Sequence, residues 1–173
     1  MFDAKPQWSL DFIRNNWGTQ MKTPLFNGSW HENWDIANFS SDLMTTSHAW
    51  CSGPTALLPQ KVLGVEPTSA GWQTFSVKPN FCDLKWAKGI VPTPYGSIAV
   101  DWENNTEGVF KLYVLVPDKT TSKVSVPGND PTKIKINNLA FDRNPAIKLL
   151  GSENGRIEFL IPAGEYRFEK SDK

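Results

Sequence analysis

Ser97-Ile98-Ala99-Val100-Asp101-Trp102 alternates large apolar side chains with small or charged ones, and Val109-Phe110-Lys111-Leu112-Tyr113-Val114-Leu115-Val116 follows after an Asn-rich turn. A period of two puts Ile98, Val100 and Trp102 on one side of an extended chain, so the first stretch reads as a half-buried strand. The second is apolar on both sides and reads as a central strand. Ile157, Phe159 and Ile161 repeat the alternation near the C-terminal end. Working outward, further short apolar stretches occupy 72–77, 84–91, 123–126, 133–136, 147–150, 156–161 and 166–168, divided by Gly, Pro and Asn. Asn104-Asn105 and Asn154-Gly155 supply turns. A run of about seven to nine short strands at this spacing predicts an antiparallel β-sandwich over residues 67–173.

Upstream the pattern is helical. From Pro6 to Gln20, Trp8, Phe12, Ile13 and Trp17 recur at steps of three and four, one face of an amphipathic helix. Pro6 stands near its start and Gly18 near its end. Ser52-Gly53-Pro54 opens a second helix that Gly64 stops and Pro59 must bend or shorten. Between the two, Thr23 to Ser52 has almost no periodicity yet holds Trp30, Trp34, Trp50, both histidines, Glu32, Asp35 and Asp42. So many aromatics argue against disorder, and the segment reads as an ordered, site-forming loop. Residues 1–66 are thus the helical part, and a unit this small cannot bury its own faces. It reads as the end of a larger helical domain.

The 173 residues carry 18 Lys+Arg and 18 Asp+Glu, a net charge of zero, which removes the usual electrostatic reason to bind nucleic acid or an anionic membrane. No apolar run is long enough to span a bilayer. Cys51 and Cys82 are too few for a disulfide framework or an all-Cys zinc site. No phosphate-cradling glycine loop and no nucleophile-elbow motif is present.

The chemistry concentrates in Trp30-His31-Glu32-Asn33-Trp34-Asp35 and Ser47-His48-Ala49-Trp50. A carboxylate flanked by indoles can stack sugar rings and act as general acid or base, although a surface loop over core tryptophans has the same composition. His31, His48 and Glu32 offer metal-ligand chemistry without metal-motif spacing, so neither a metal nor a cofactor is expected. Cys51 reads as a buried cysteine at a helix start rather than the partner of His48.

The run from Ser47 to Pro54, Val62-Leu63-Gly64-Val65-Glu66-Pro67, Gly71-Trp72 to Pro79, Asp83 to Gly89 and Val91-Pro92-Thr93-Pro94-Tyr95-Gly96 resembles the C-terminal part of bacterial α-L-rhamnosidases. The resemblance covers about Trp17 to Trp102 and is specific over 47–102. It implies an α+β chain in two parts, the terminal helices of an (α/α)6 barrel followed by an antiparallel β-sandwich. It implies an inverting glycosidase that removes terminal α-L-rhamnose with two carboxyl groups. Glu32 in Glu32-Asn33-Trp34-Asp35 is implied as the general base, His48 as a rhamnose contact, and Trp30, Trp34 and Trp50 as neighbouring aromatics. His31 separates Trp30 from Glu32, where the family has Trp directly before Glu. The general acid and most of the pocket lie in barrel helices upstream of this chain, so the isolated chain is expected to be inactive, its partners being a rhamnose-containing glycan and the missing N-terminal helical region. Two other readings remain: a carbohydrate-binding module with Trp72, Trp86 and Trp102 as its platform, and a purely structural sandwich.

Overall fold

Alternation becomes burial along Gly96–Asn104, where Ile98, Val100 and Trp102 are fully enclosed while Glu103 is exposed. In the computed structural model, which describes residues 2–34, 45–105 and 108–170, the chain forms two compact units, residues 1–58 and 59–173. The division precedes the expected boundary at 66/67. Val62, Leu63 and Val65 are buried and the Trp102 indole donates to the Val62 carbonyl at 3.1 Å, which ties this segment to the strands.

The second unit is a mostly β domain of nine strands among the described residues. They are β1 Val65–Pro67, β2 Thr74–Val77, β3 Trp86–Thr93, β4 Gly96–Asn104, β5 Phe110–Pro127, β6 Ile134–Ile136, β7 Leu139–Ala140, β8 Lys148–Glu153 and β9 Arg156–Lys170. Two stretches expected as separate strands, 109–116 and 123–126, are one strand of 18 residues interrupted by a register shift between Val116 and Thr121. Likewise 156–161 and 166–168 are both β9. Prolines 117 and 162 read as breaks in the sequence but sit at an irregularity of the ladder, where a missing N–H costs no hydrogen bond. Asn154-Gly155, both at positive φ (53° and 73°), makes the β8–β9 hairpin turn as expected.

Strands β5 and β9 serve both layers. The first half of β5 pairs with β4 and the second with β2, while β9 runs antiparallel beside both halves. Phe159 and Phe168 lie nine residues apart on β9, about 30 Å in a straight strand, yet their ring centroids are 5.8 Å apart. The ribbon therefore folds over near Pro162–Gly164 and its inner faces meet. The expectation of a wholly antiparallel sandwich needs one correction: β2 and β5 are parallel, Thr74 opposite Thr121 through Val77 opposite Val124. After β2 the chain builds the β3–β4 hairpin and returns along β5 in the direction of β2.

Trp102 is the largest fully buried side chain, edge-on to Phe81 at 5.1 Å. Phe81 also meets Phe110 at 5.3 Å and lies under the Arg156 guanidinium at 5.4 Å. Arg156 donates to the Ser125 carbonyl at 3.0 Å and to the Pro79 carbonyl, and burial lowers its pKa from the usual arginine value. These contacts pin the 79–82 loop over the open edge of the core. Gly64, at φ 82°, lies against the Lys78 carbonyl so closely that a Cβ would overlap backbone.

In the first unit, α1 is Pro6–Gln20, as the periodicity predicts. Its buried positions are not the predicted face. Ser9, Leu10 and Gln20 are buried, whereas Trp8 and Phe12 are exposed and stack on each other at 5.2 Å. Helix α2 is short, Gly53–Leu57, and passes into a π turn, Leu58–Val62, that contains Pro59. Among the described residues of this unit only Phe2 and Leu10 are buried large apolar side chains, while Met21, Leu25, Trp34, Trp50 and Leu57 are also exposed.

Candidate functional site

The loop between the helices is held by backbone pairing. The Glu32 N–H donates to the Thr45 carbonyl at 3.0 Å and the His48 N–H to the Trp30 carbonyl at 2.8 Å. These two bonds make a short antiparallel clasp between 30–32 and 45–48, so Glu32 and His48 stand on adjacent backbone segments. Ser29 Oγ donates to Ser47 Oγ at 2.8 Å and extends the clasp. Asp35 and Asp42 lie outside the described residues.

Gln20, wholly buried, locks the clasp onto the end of α1. Its Nε2 donates to the Asn33 carbonyl at 2.9 Å and to the His31 carbonyl at 3.4 Å, and its Oε1 accepts from the His31 N–H at 3.1 Å. A primary amide has both donors and an acceptor, so one side chain satisfies the backbone on either side of Glu32. Cys51 is half-buried and not enclosed as expected; its thiol donates to the Glu32 carbonyl at 3.4 Å. Trp17 Nε1 donates to the Cys51 carbonyl at 2.6 Å. The Glu32 backbone is thus held from both directions.

The side chains divide into two groups. Glu32 is exposed, and His48 is half-buried with its ring edge-on to Trp50 at 6.0 Å. Trp50 is 92% exposed, an indole presented to solvent. Trp30 and Trp34, expected to flank the carboxylate, engage elsewhere. The Trp30 indole donates to Thr55 Oγ1 at 3.0 Å and leans on Phe26 at 5.7 Å. Trp34 packs edge-on against Phe12 at 5.7 Å and Trp17 at 5.2 Å. His31 is buried against Phe26, and among the described residues neither ring nitrogen has a hydrogen-bond partner. Among the described residues no three His, Cys, Asp or Glu side chains converge as a metal-ligand set.

Sequence reasoning named Glu32 and His48 as candidates and passed over Gln20, which holds the loop that carries them. A lone polar residue at a helix end carries no periodic signal, and its partners lie 11 and 13 positions away.

Residues 64–140 match the family described as bacterial alpha-L-rhamnosidase C-terminal domain. An alpha-L-rhamnosidase from Formosa agariphila is 32% identical over 111 residues, which is 64% of this chain and 12% of that protein. One from Streptomyces avermitilis is 24% identical over 108 residues, 62% of this chain and 10% of that protein. The chain thus spans about a tenth of the length of the curated relatives it matches. Among solved structures, the Streptomyces avermitilis alpha-L-rhamnosidase complexed with L-rhamnose is similar over 80% of this chain and 13% of its own, with TM-score 0.67 and 19% identity. The alpha-L-rhamnosidase from Dictyoglumus thermophilum gives TM-score 0.67 at 19% identity over 82% of this chain and 16% of its own. At these identities the structural likeness shows the fold alone.

Proposed function

The chain resembles α-L-rhamnosidases in sequence and in the fold of its β domain, and from that premise we propose that it is the C-terminal part of an inverting glycosidase that removes terminal α-L-rhamnose. Residues 1–66 are the closing helices of an (α/α)6 catalytic barrel and 67–173 its appended sandwich. The observation that supports this most is the clasp that sets Glu32 and His48 on adjacent segments, with Trp50 open beside His48.

Glu32 is the general base. It takes a proton from a water on the sugar face opposite the leaving group, while a carboxylic acid outside this chain protonates the departing oxygen. Inversion needs the two carboxyl groups about 6.5–9.5 Å apart, leaving room for that water. Glu32 is solvent-exposed here, as a base facing an unfilled pocket would be. The Gln20 amide and Cys51 thiol fix its backbone, which is how positioning enters the rate. His48 hydrogen-bonds a rhamnose hydroxyl and Trp50 lies along the apolar side of the ring. Trp30 and Trp34 are the neighbouring aromatics, bracing the loop from Thr55 and from α1.

Two measurements test the reading. In the protein that carries this chain, Glu32→Gln should lower release of p-nitrophenol from its α-L-rhamnoside by about 10²–10⁴-fold. The first sugar product seen by NMR should be the β-anomer. The purified 173-residue chain should release none. Full activity in Glu32→Gln, or an α-anomer as first product, overturns the assignment.

A further inference from the structure

One side of the β3–β4–β5–β9 ladder carries a second constellation, wholly within the β domain. Residues directly opposite in an antiparallel ladder project to the same side. Trp86, Glu103, Lys111 and Glu169 therefore form one row across β3, β4, β5 and β9. Lys88, Asp101, Tyr113 and Arg167 form the next. Between β4, β5 and β9 these rows border an open surface hollow of about 220 Å³, lined by Asp101, Glu103, Lys111, Tyr113, Arg167 and Glu169. The Arg167 guanidinium lies over the Tyr113 ring at 5.0 Å, and Lys88 pairs with Asp101 at 3.4 Å. At the end of the first row, Trp86 is 66% exposed.

Three features select a ligand class. The carboxylates Asp101, Glu103, Glu165 and Glu169 are matched by Lys88, Lys111, Lys135 and Arg167, so the face repels neither sign and does not attract a polyanion. Its groups alternate acceptor and donor at strand spacing, suited to hydroxyls, each of which is both. The exposed indole offers a flat apolar surface beside them, suited to the C–H side of a pyranose. The hollow is smaller than the ~300–1,000 Å³ of drug-sized sites, enough for one sugar ring with the chain continuing over Trp86. The expected platform of Trp72, Trp86 and Trp102 does not exist as such, because Trp102 is fully buried and points to the core.

We propose that this face is a carbohydrate-binding site, separate from the Glu32 loop, that takes a neutral oligosaccharide with one residue in the hollow and the next on Trp86. It does not depend on Glu32 being a base.

The test titrates the full chain with a neutral rhamnan hexasaccharide, cellohexaose and an oligogalacturonate hexamer, read by calorimetry and amide NMR shifts. Saturable binding of at least one neutral hexasaccharide is expected, with shifts at Asp101, Tyr113 and Arg167. Trp86→Ala and Arg167→Gln should each weaken it about tenfold or more, and Trp86→Phe should retain most of it. Circular-dichroism melts establish that the exposed-site variants fold. No saturation by about 10 mM, preference for the acidic hexamer, or binding lost in Trp50→Ala but kept in Trp86→Ala overturns the proposal. The last outcome would place the sugar on the Glu32–His48 loop instead.

Discussion

Trp102→Phe isolates one contact that joins the segment before β1 to the sheet. The indole N–H donates to the Val62 carbonyl at 3.1 Å, and both residues are buried. Phenylalanine keeps most of the ring against Phe81 but removes the donor, leaving a buried acceptor unsatisfied at about 1–3 kcal/mol. The smaller ring forfeits roughly another 1–2 kcal/mol of packing. A total near 3 kcal/mol, at a urea slope of about 1.5 kcal/mol per M, moves the midpoint down by about 2 M. The assay is urea unfolding followed by far-UV circular dichroism, since fluorescence would change with the Trp itself. A shift below about 0.5 M with unchanged slope would refute the reasoning, because then the indole neither fills the core nor holds Val62. Trp102→Ala adds a cavity worth about 3–5 kcal/mol and should unfold the domain, so the Phe variant is the informative one.

Gly64→Ala should destabilise the domain by several times the ~1 kcal/mol of an ordinary Gly-to-Ala change, because the new Cβ meets the Lys78 carbonyl at φ 82°; a midpoint within error of wild type would refute it. Gln20→Ala should raise hydrogen exchange at the His31 amide by about tenfold or more, since that N–H donates to Gln20 Oε1; unchanged protection would mean the clasp is held without it. Burial raises the Tyr166 pKa, and burial together with Glu165 raises that of Tyr113. A folded pKa above the unfolded value contributes stability present below about pH 10 and lost as pH rises through the folded value. Urea midpoints should therefore fall above that pH, less steeply in Tyr113→Phe/Tyr166→Phe, and an identical slope in the double variant would count against the effect.

Local signals were legible where they were periodic or punctuated. Pro6 and the apolar spacing marked α1, and Asn154-Gly155 marked its hairpin. The inward alternation of Ile98, Val100 and Trp102 became the core. What escaped was set by distant partners. The parallel pairing of β2 with β5 joins segments 47 positions apart, Thr74 with Thr121, and no local pattern encodes it. The face of α1 misled because Trp8, Phe12 and Trp17 stack among themselves and on Trp34 rather than sinking into a core. In the site, Glu32 and His48 were recognisable as residue types, but the clasp and its Gln20 lock depend on contacts across the loop.

Because β5 and β9 belong to both layers at once, the domain has no seam along which it could come apart in halves. Peeling one layer would strip hydrogen bonds from strands the other requires, so exchange of the deepest amides should proceed in a single cooperative event. Assembly faces the same condition in reverse: Phe110 must find Lys170, and Val126 must find Ile157, across the intervening chain before the two halves of the ladder are complete. Such distant closure places folding in the slow, millisecond-to-second regime of β proteins.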